Sequence, residues 1–190
     1  MSSLLLALAA CGEPALSVGE APALMPVGGR VRLALVGDTG KGNEGQARVA
    51  AAMERVCAAE GCDAVVITGD LLYPVGMASP DDPRAQAWVA EPYTPVADRV
   101  FLSLGNHDYG RGRNRQSAAW LRDWAARTPG VEHPGDVYRV SLGVGALHIL
   151  DTNAAFQWGH GPQQRWLLDA LPSTDGWRVV AGHHTFRSEG

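Results

Sequence analysis

The sequence has no long run of basic residues, and its 16 lysines and arginines are outnumbered by 20 aspartates and glutamates, for a formal net charge of −4. That balance argues against nucleic acid as the partner, because phosphate-backbone binding draws on clustered positive charge. The one conspicuous apolar run near the start, Leu4 to Ala10, is too short to cross a bilayer. There is no internal repeat, and no low-complexity tract outside residues 12–29, so repeat architectures are excluded. A P-loop is also absent: in Gly37 to Gly42 the lysine, Lys41, is followed by glycine rather than serine or threonine, and the glycine spacing is wrong. What remains is 190 residues with 46% apolar and 19% charged side chains, a composition that folds as one globular domain with a real core.

The first residues differ from the rest. The run Leu4 to Ala10 ends at Leu8-Ala9-Ala10-Cys11, which resembles the end of a bacterial lipoprotein signal, where the cysteine becomes a lipidated N-terminus after cleavage. The usual basic leader is missing, since Met1, Ser2 and Ser3 alone precede the run, and the competing reading is a disordered leader. Residues 1–11 are therefore expected to be a lipoprotein signal, and residues 12–29, with Pro14, Pro22 and Pro26, a tether. Residues 30–190 are expected to form the folded domain. The expected setting is export to the bacterial cell envelope, with membrane contact through a lipid anchor at Cys11. Cys57 and Cys62 are either a small-loop disulfide of an exported protein or two buried thiols at a helix-to-strand joint.

Strands are predicted over 31–36, 64–68, 100–104, 137–142, 146–150 and 177–181. Helices are predicted over 46–59, 116–127 and 163–171, with a short one near 84–90 inside a proline-rich loop. Strand and helix alternate in the first part, which argues for α/β layering. The adjacent strands at 137–150 argue for a mixed sheet.

Four of these strands end alike. They run into Gly37-Asp38, Gly69-Asp70, Gly105-Asn106-His107-Asp108 and Gly182-His183-His184. In open α/β sheets, ligands bind beyond the carboxyl ends of strands, so residues far apart in sequence can meet there. Taken singly, Asp38 and Asp70 are turn residues, Tyr73 is a packed aromatic and His183 is an ordinary histidine. In combination they supply carboxylates, an amide oxygen, a phenol and an imidazole. That donor set suits divalent or trivalent iron, manganese or zinc. Paired ions can clamp both oxygens of a phosphoryl displacement and generate hydroxide near neutral pH.

Gly37-Asp38, Gly69-Asp70-Leu71-Leu72-Tyr73, Gly105-Asn106-His107-Asp108 and Gly182-His183 resemble the calcineurin-like metallophosphoesterases. Tyr73, three residues after the second aspartate, narrows the resemblance to the purple acid phosphatase-like branch. The similarity extends from about residue 31 to the end. It implies a sandwich of mixed β-sheets flanked by helices, with its last strands missing. It also implies a dinuclear centre of Fe(III) with Fe(II), Zn(II) or Mn(II), in which Asp38 and Tyr73 bind the first metal, Asp70 bridges, and Asn106 and His183 bind the second. The phenolate ligand favours ferric iron. His107 is implied to contact phosphate or protonate the leaving group, with Asp108 orienting His107, and Asp151 to be a non-ligand support.

The resemblance further implies two more histidines, in a Gly-His-x-His segment after His183, and a further catalytic histidine. None of these is in the sequence, which reads as a C-terminally truncated piece holding five of seven ligands and so itself inactive or slow. His133, His148 and His160 are out of order for those places, and His184 stands where the family often has an aromatic. The expected activity is phosphomonoester hydrolysis of a small phosphorylated substrate by metal-bound hydroxide. The alternatives are a phosphodiesterase or nucleotidase on the same core, and a non-catalytic surface lipoprotein that keeps the fold. Specificity would lie in loops 74–99 and 109–116, where Arg111, Arg113 and Arg115 are available to phosphate.

Overall fold

A computed structural model describes residues 16–25, 27–110, 115–153 and 161–185. The expected leader with Cys11, and also Arg111, Arg113 and His160, lie outside the described residues. The order is β1 (Val18–Ala21), β2 (Leu33–Val36), α1 (Glu44–Glu60), β3 (Ala64–Thr68), and α2 (Pro83–Ala85). A π-helical turn (Gln86–Ala90), α3 (Glu91–Tyr93) and β4 (Val100–Ser103) follow. After these come α4 (Arg115–Ala125), β5 (Val131–Glu132), β6 (Val137–Ser141), β7 (Gly145–Ile149), α5 (Gly161–Ala170) and β8 (Trp177–Ala181).

The strands form two four-stranded sheets. One has the order β2-β3-β4-β5 and is wholly parallel, while the other, β1-β6-β7-β8, is mixed through the antiparallel β6–β7 pair. Alternation along β3 and β4 explains how the sheets stack. Val65 and Ile67 of β3 and Val100 and Leu102 of β4 face one core, with Ala50 of α1 and Leu121 and Trp124 of α4. Ala64 and Val66 of β3 and Phe101 of β4 face a second core, with Tyr138, Val140, Leu147 and Ile149 of the other sheet. Both faces of these strands are covered, which is why they read as unbroken apolar runs rather than as alternating ones. Among the described residues, no helix is long and apolar enough to cross a membrane.

Helix α1 begins two residues before its predicted start because Asn43 caps it, its side chain accepting from the Gln46 N–H at 3.0 Å. It ends at Gly61, whose N–H donates to the Cys57 carbonyl at 2.8 Å. Beside that end Cys57 and Cys62 form a disulfide, which decides between the two readings of the pair.

Two strands escaped prediction. β1 lies within the expected tether and runs parallel to β6, with Ala21 and Leu24 buried, so this part of residues 12–29 is not a free linker. Val-Gly-Glu-Ala carries no strand periodicity of its own, and the edge of β6 supplies the pairing. β5 is two residues long and exists as a partner of β4.

His133 follows β5 and is 4% exposed. Burial, helped by the nearby Arg122 guanidinium and opposed by Asp136, lowers its pKa to about 4 from 6.5. The unfolded chain therefore takes up this proton first, and stability is lost as pH falls from 6.5 toward 4, at up to roughly 1.4 kcal/mol per pH unit. Thermal unfolding between pH 7 and 4.5 should show a shallower decline for His133→Gln than for the unaltered chain. Equal slopes would contradict this account.

Candidate metal centre

Each predicted ligand sits just past a strand end, and the local backbone shows why. Asp38 and Asp70 have φ of 56° and 55°, a left-handed conformation that costs any residue other than glycine, and one that persists where surrounding structure enforces it. Backbone bonds lock the tips together: the Asp38 N–H donates to the Gly69 carbonyl at 3.1 Å and the Gly40 N–H to the Asp70 carbonyl at 3.0 Å. Gly69, at φ 90°, must be glycine. A Cβ there would stand 2.7 Å from both His183 Nδ1 and the Gly105 nitrogen. His183 arrives from β8 in the other sheet, so the centre exists only where the two sheets meet.

The donor atoms converge. One ligand atom each from Asp38, Asp70 and His183 lies within 4.8 Å of the others. Tyr73 donates its hydroxyl to Asp38 Oδ1 at 3.0 Å and to Asp70 Oδ2 at 2.7 Å. His183 Nδ1 meets the Thr68 carbonyl at 2.9 Å; because that oxygen only accepts, Nδ1 carries the hydrogen and Nε2 offers a lone pair. Nε2 then faces Asn106 Oδ1 at 3.2 Å and Asp70 Oδ1 at 3.4 Å, so three acceptors look at one another.

Acceptors crowded in this way are stabilised by a cation between them, and the mix of carboxylate, amide oxygen, phenol and imidazole fits the first-row metals. Burial, together with the Asp70 and Asp38 carboxylates, pushes the Tyr73 phenol far above its ordinary pKa. A cation reverses the sign of that field and favours phenolate as a ligand. All five predicted ligands are thus brought together.

The two residues predicted as a catalytic pair, His107 toward substrate and Asp108 orienting it, part company. His107 is half-buried at the site: its ring tilts against Tyr73 with centroids 4.5 Å apart, and its Nε2 is 4.0 Å from Asp70 Oδ2. Asp108 does not orient it. The short 3-10 turn His107–Tyr109 swings Asp108 inward, to 1% exposure. There its carboxylate accepts from the backbone N–H of Leu71 (2.8 Å), Leu72 (3.2 Å) and Gly105 (2.8 Å). Burial raises its pKa to about 7 although these amides pull the other way. Asp108 is therefore a clasp between two strand tips, and the group that meets His107 Nδ1 is the Pro74 carbonyl, at 2.6 Å.

Other singled-out residues take the places expected of non-ligands. Asp151 is 1% exposed and accepts from the Tyr109 hydroxyl. His184 pairs with Thr152 Oγ1 at 2.9 Å, and His148 is fully buried in β7 beside Trp166. Arg115 lines a cavity of about 170 Å³ with Tyr109, Arg122 and Asp136. The sequence reading missed the Pro74 and Thr68 carbonyls, which carry no side-chain signal. It also missed Lys41, whose ammonium lies 5.7 Å from the Tyr73 ring centroid. Asp70→Asn should weaken binding of zinc or manganese, followed calorimetrically, by on the order of 100-fold. An unchanged affinity would remove Asp70 from the ligand set.

Comparison with known proteins agrees with this geometry. The family model for calcineurin-like phosphoesterases matches residues 31–190. Purple acid phosphatase 4 of Arabidopsis thaliana is 30% identical over 184 residues, covering 84% of this chain and 53% of the plant protein. Purple acid phosphatase 3 of the same plant is 30% identical over 182 residues, covering 85% and 50%. The chain thus spans about half the length of the curated relatives it matches. A solved structure described as GAP50, the anchor in the inner membrane complex of Plasmodium, superposes with a TM-score of 0.65 at 18% identity. It covers 84% of this chain and 56% of its own, a likeness of fold alone. From strand tips to domain match, the chain belongs to the calcineurin-like phosphoesterase family.

Proposed function

We propose that this chain carries the metal-binding core of a phosphomonoesterase resembling an acid phosphatase. The observation that supports this most is the meeting of five donor side chains with His107 beyond the strand ends. Asp38, Asp70 and Tyr73 would hold one ion and Asp70, Asn106 and His183 a second, with the phenol favouring ferric iron beside Fe(II), Zn(II) or Mn(II). Bound there, a metal pair supplies Lewis-acid polarisation of a phosphoryl oxygen and lowers the pKa of a coordinated water.

The chain's own residues do the rest. The Pro74 carbonyl keeps the hydrogen on His107 Nδ1, so that Nε2 faces the site and, when protonated, donates to a phosphate or leaving-group oxygen. The Tyr73 ring beside His107 limits where that imidazole can swing. The Asp108 clasp keeps the His107 turn against the turn that carries Tyr73. A small phosphorylated molecule is the substrate that this reading implies. The Cys57–Cys62 disulfide supports an exported, oxidising setting, in keeping with a lipid-anchored envelope protein.

A second reading is a non-catalytic surface protein that retains the fold. The converged donors and His107 speak for the enzyme. The full-length protein supplied with iron, manganese or zinc should release phosphate from an aryl phosphate. His107→Asn should lower kcat roughly 10²–10⁴-fold with metal still bound. Metal-loaded protein without turnover would sink the enzymatic reading.

A further inference from the structure

Between β3 and β4 the chain leaves the sheet and returns through the helical segment 83–93, and the side chains that lock this excursion lead back to the metal centre. Asp82 is 5% exposed and accepts from the backbone N–H of Ala78 at 2.8 Å and of Arg84 at 3.0 Å. Its carboxylate also grips the Arg84 guanidinium as a fork, through Nε to Oδ1 at 3.0 Å and Nη2 to Oδ2 at 2.6 Å. The other edges of that guanidinium point at a turn: Nη2 donates to the Gly76 carbonyl at 2.6 Å and Nη1 to the Tyr73 carbonyl at 3.2 Å. The Trp88 ring covers the guanidinium 5.4 Å away.

Trp88 is tied in turn to the neighbouring tip. Its carbonyl accepts from Gln46 Nε2 at 2.5 Å, Gln46 Oε1 accepts from the Gly42 N–H at 2.7 Å, and a Cβ on Gly42 would run into the indole. The turn that Arg84 holds is the one that presents the Tyr73 phenol to Asp38 and Asp70 and the Pro74 carbonyl to His107.

We infer that Arg84, gripped by Asp82 and covered by Trp88, is the positioning residue of this centre, acting through the Tyr73–Gly76 turn on the phenol ligand and the His107 imidazole together. The inference rests on the reading of Tyr73 as a metal ligand. Arg84 acts here as a positioning group rather than as a phosphate contact, because four of its five N–H groups are committed to the carboxylate and the two carbonyls. Burial alone would raise the Asp82 carboxyl, but Arg84 and the two amides outweigh it and hold it at about 2, so the pair stays ionised throughout the range in which a phosphoesterase works. Lysine cannot substitute fully, since its single ammonium cannot fork onto a carboxylate and bridge two carbonyls at once.

A double-mutant cycle on the full-length protein tests this, with zinc or manganese affinity read calorimetrically below the melting temperature and with kcat and KM on an aryl phosphate. Arg84→Met should weaken metal binding about 10-fold in the unaltered chain but less than about 2-fold in a Tyr73→Phe background, with Arg84→Lys intermediate. It should lower kcat more than it raises KM. If Arg84 merely braces the loop, Arg84→Met lowers the melting temperature and leaves metal affinity unchanged, or costs the same in both backgrounds, and the inference fails. Should Arg84→Met not fold, Arg84→Lys and Asp82→Asn carry the same comparison. Protein that binds metal without turnover would overturn the phosphatase reading and leave the cycle decisive for Arg84. Unaltered protein that binds no metal would overturn both.

Discussion

The Asp70 carboxylate is the point on which the rest of the structure bears. It is 3% exposed, on a residue held in left-handed backbone, and it touches groups from the β3, β4 and β8 tips. Oδ2 accepts from Tyr73, Oδ1 accepts from the His107 N–H at 3.0 Å, and the imidazole of His183 reaches it from the second sheet. A buried charge with so little water must be compensated by hydrogen bonds or by cations. The donors it has are few and the acceptors around it many, so the arrangement is complete as chemistry only with positive charge at its centre.

Keeping such a group in place takes a frame that does not yield, and the two cores supply it. β3 and β4 are packed on both faces, one against helices and one against the other sheet, so their ends cannot drift independently. The clasps then work over short distances. Asp108 joins the β3 and β4 tips by three backbone amides, and the Thr68 carbonyl turns His183 so that Nε2 faces the other donors. These groups bring together, as candidate metal donors, side chains that would otherwise be ordinary turn residues. Buried polar networks of this kind are worth their desolvation only when each member is satisfied, and the backbone amides satisfy Asp108 in that way.

Much of this was readable beforehand, and the reason differs by element. The apolar run at 64–68 coincides with β3 because a strand buried in a sheet needs those residues whatever its neighbours are, whereas β8 at 177–181 is an edge strand and largely exposed, legible from its β-branched residues rather than from burial. Four of the five candidate ligands, Asp38, Asp70, Asn106 and His183, were readable because glycine followed by a metal-binding side chain at a strand end is a local pattern, and Tyr73 was readable through the family resemblance that its spacing from Asp70 carries. β1 and β5 were not, since short strands without periodicity take their structure from the strand they join. The role of Asp108 was misread because adjacency to His107 in sequence says nothing about direction; the 3-10 turn sends neighbouring side chains opposite ways, one toward the site and one into the core.

The sequence by itself therefore determined the α/β layering, the identity of the donors and the family they resemble, because those depend on residue type and local order. Tertiary structure decided which atoms meet. Asp70 and His183 lie on different sheets, the acceptor facing His107 is the Pro74 backbone carbonyl, and Arg84 reaches the turn of Tyr73 from a helical segment that carries no chemical pattern of its own. Contacts through backbone groups and across sheets leave no mark in residue order, because any residue offers a carbonyl and only the packed fold chooses the one that is used.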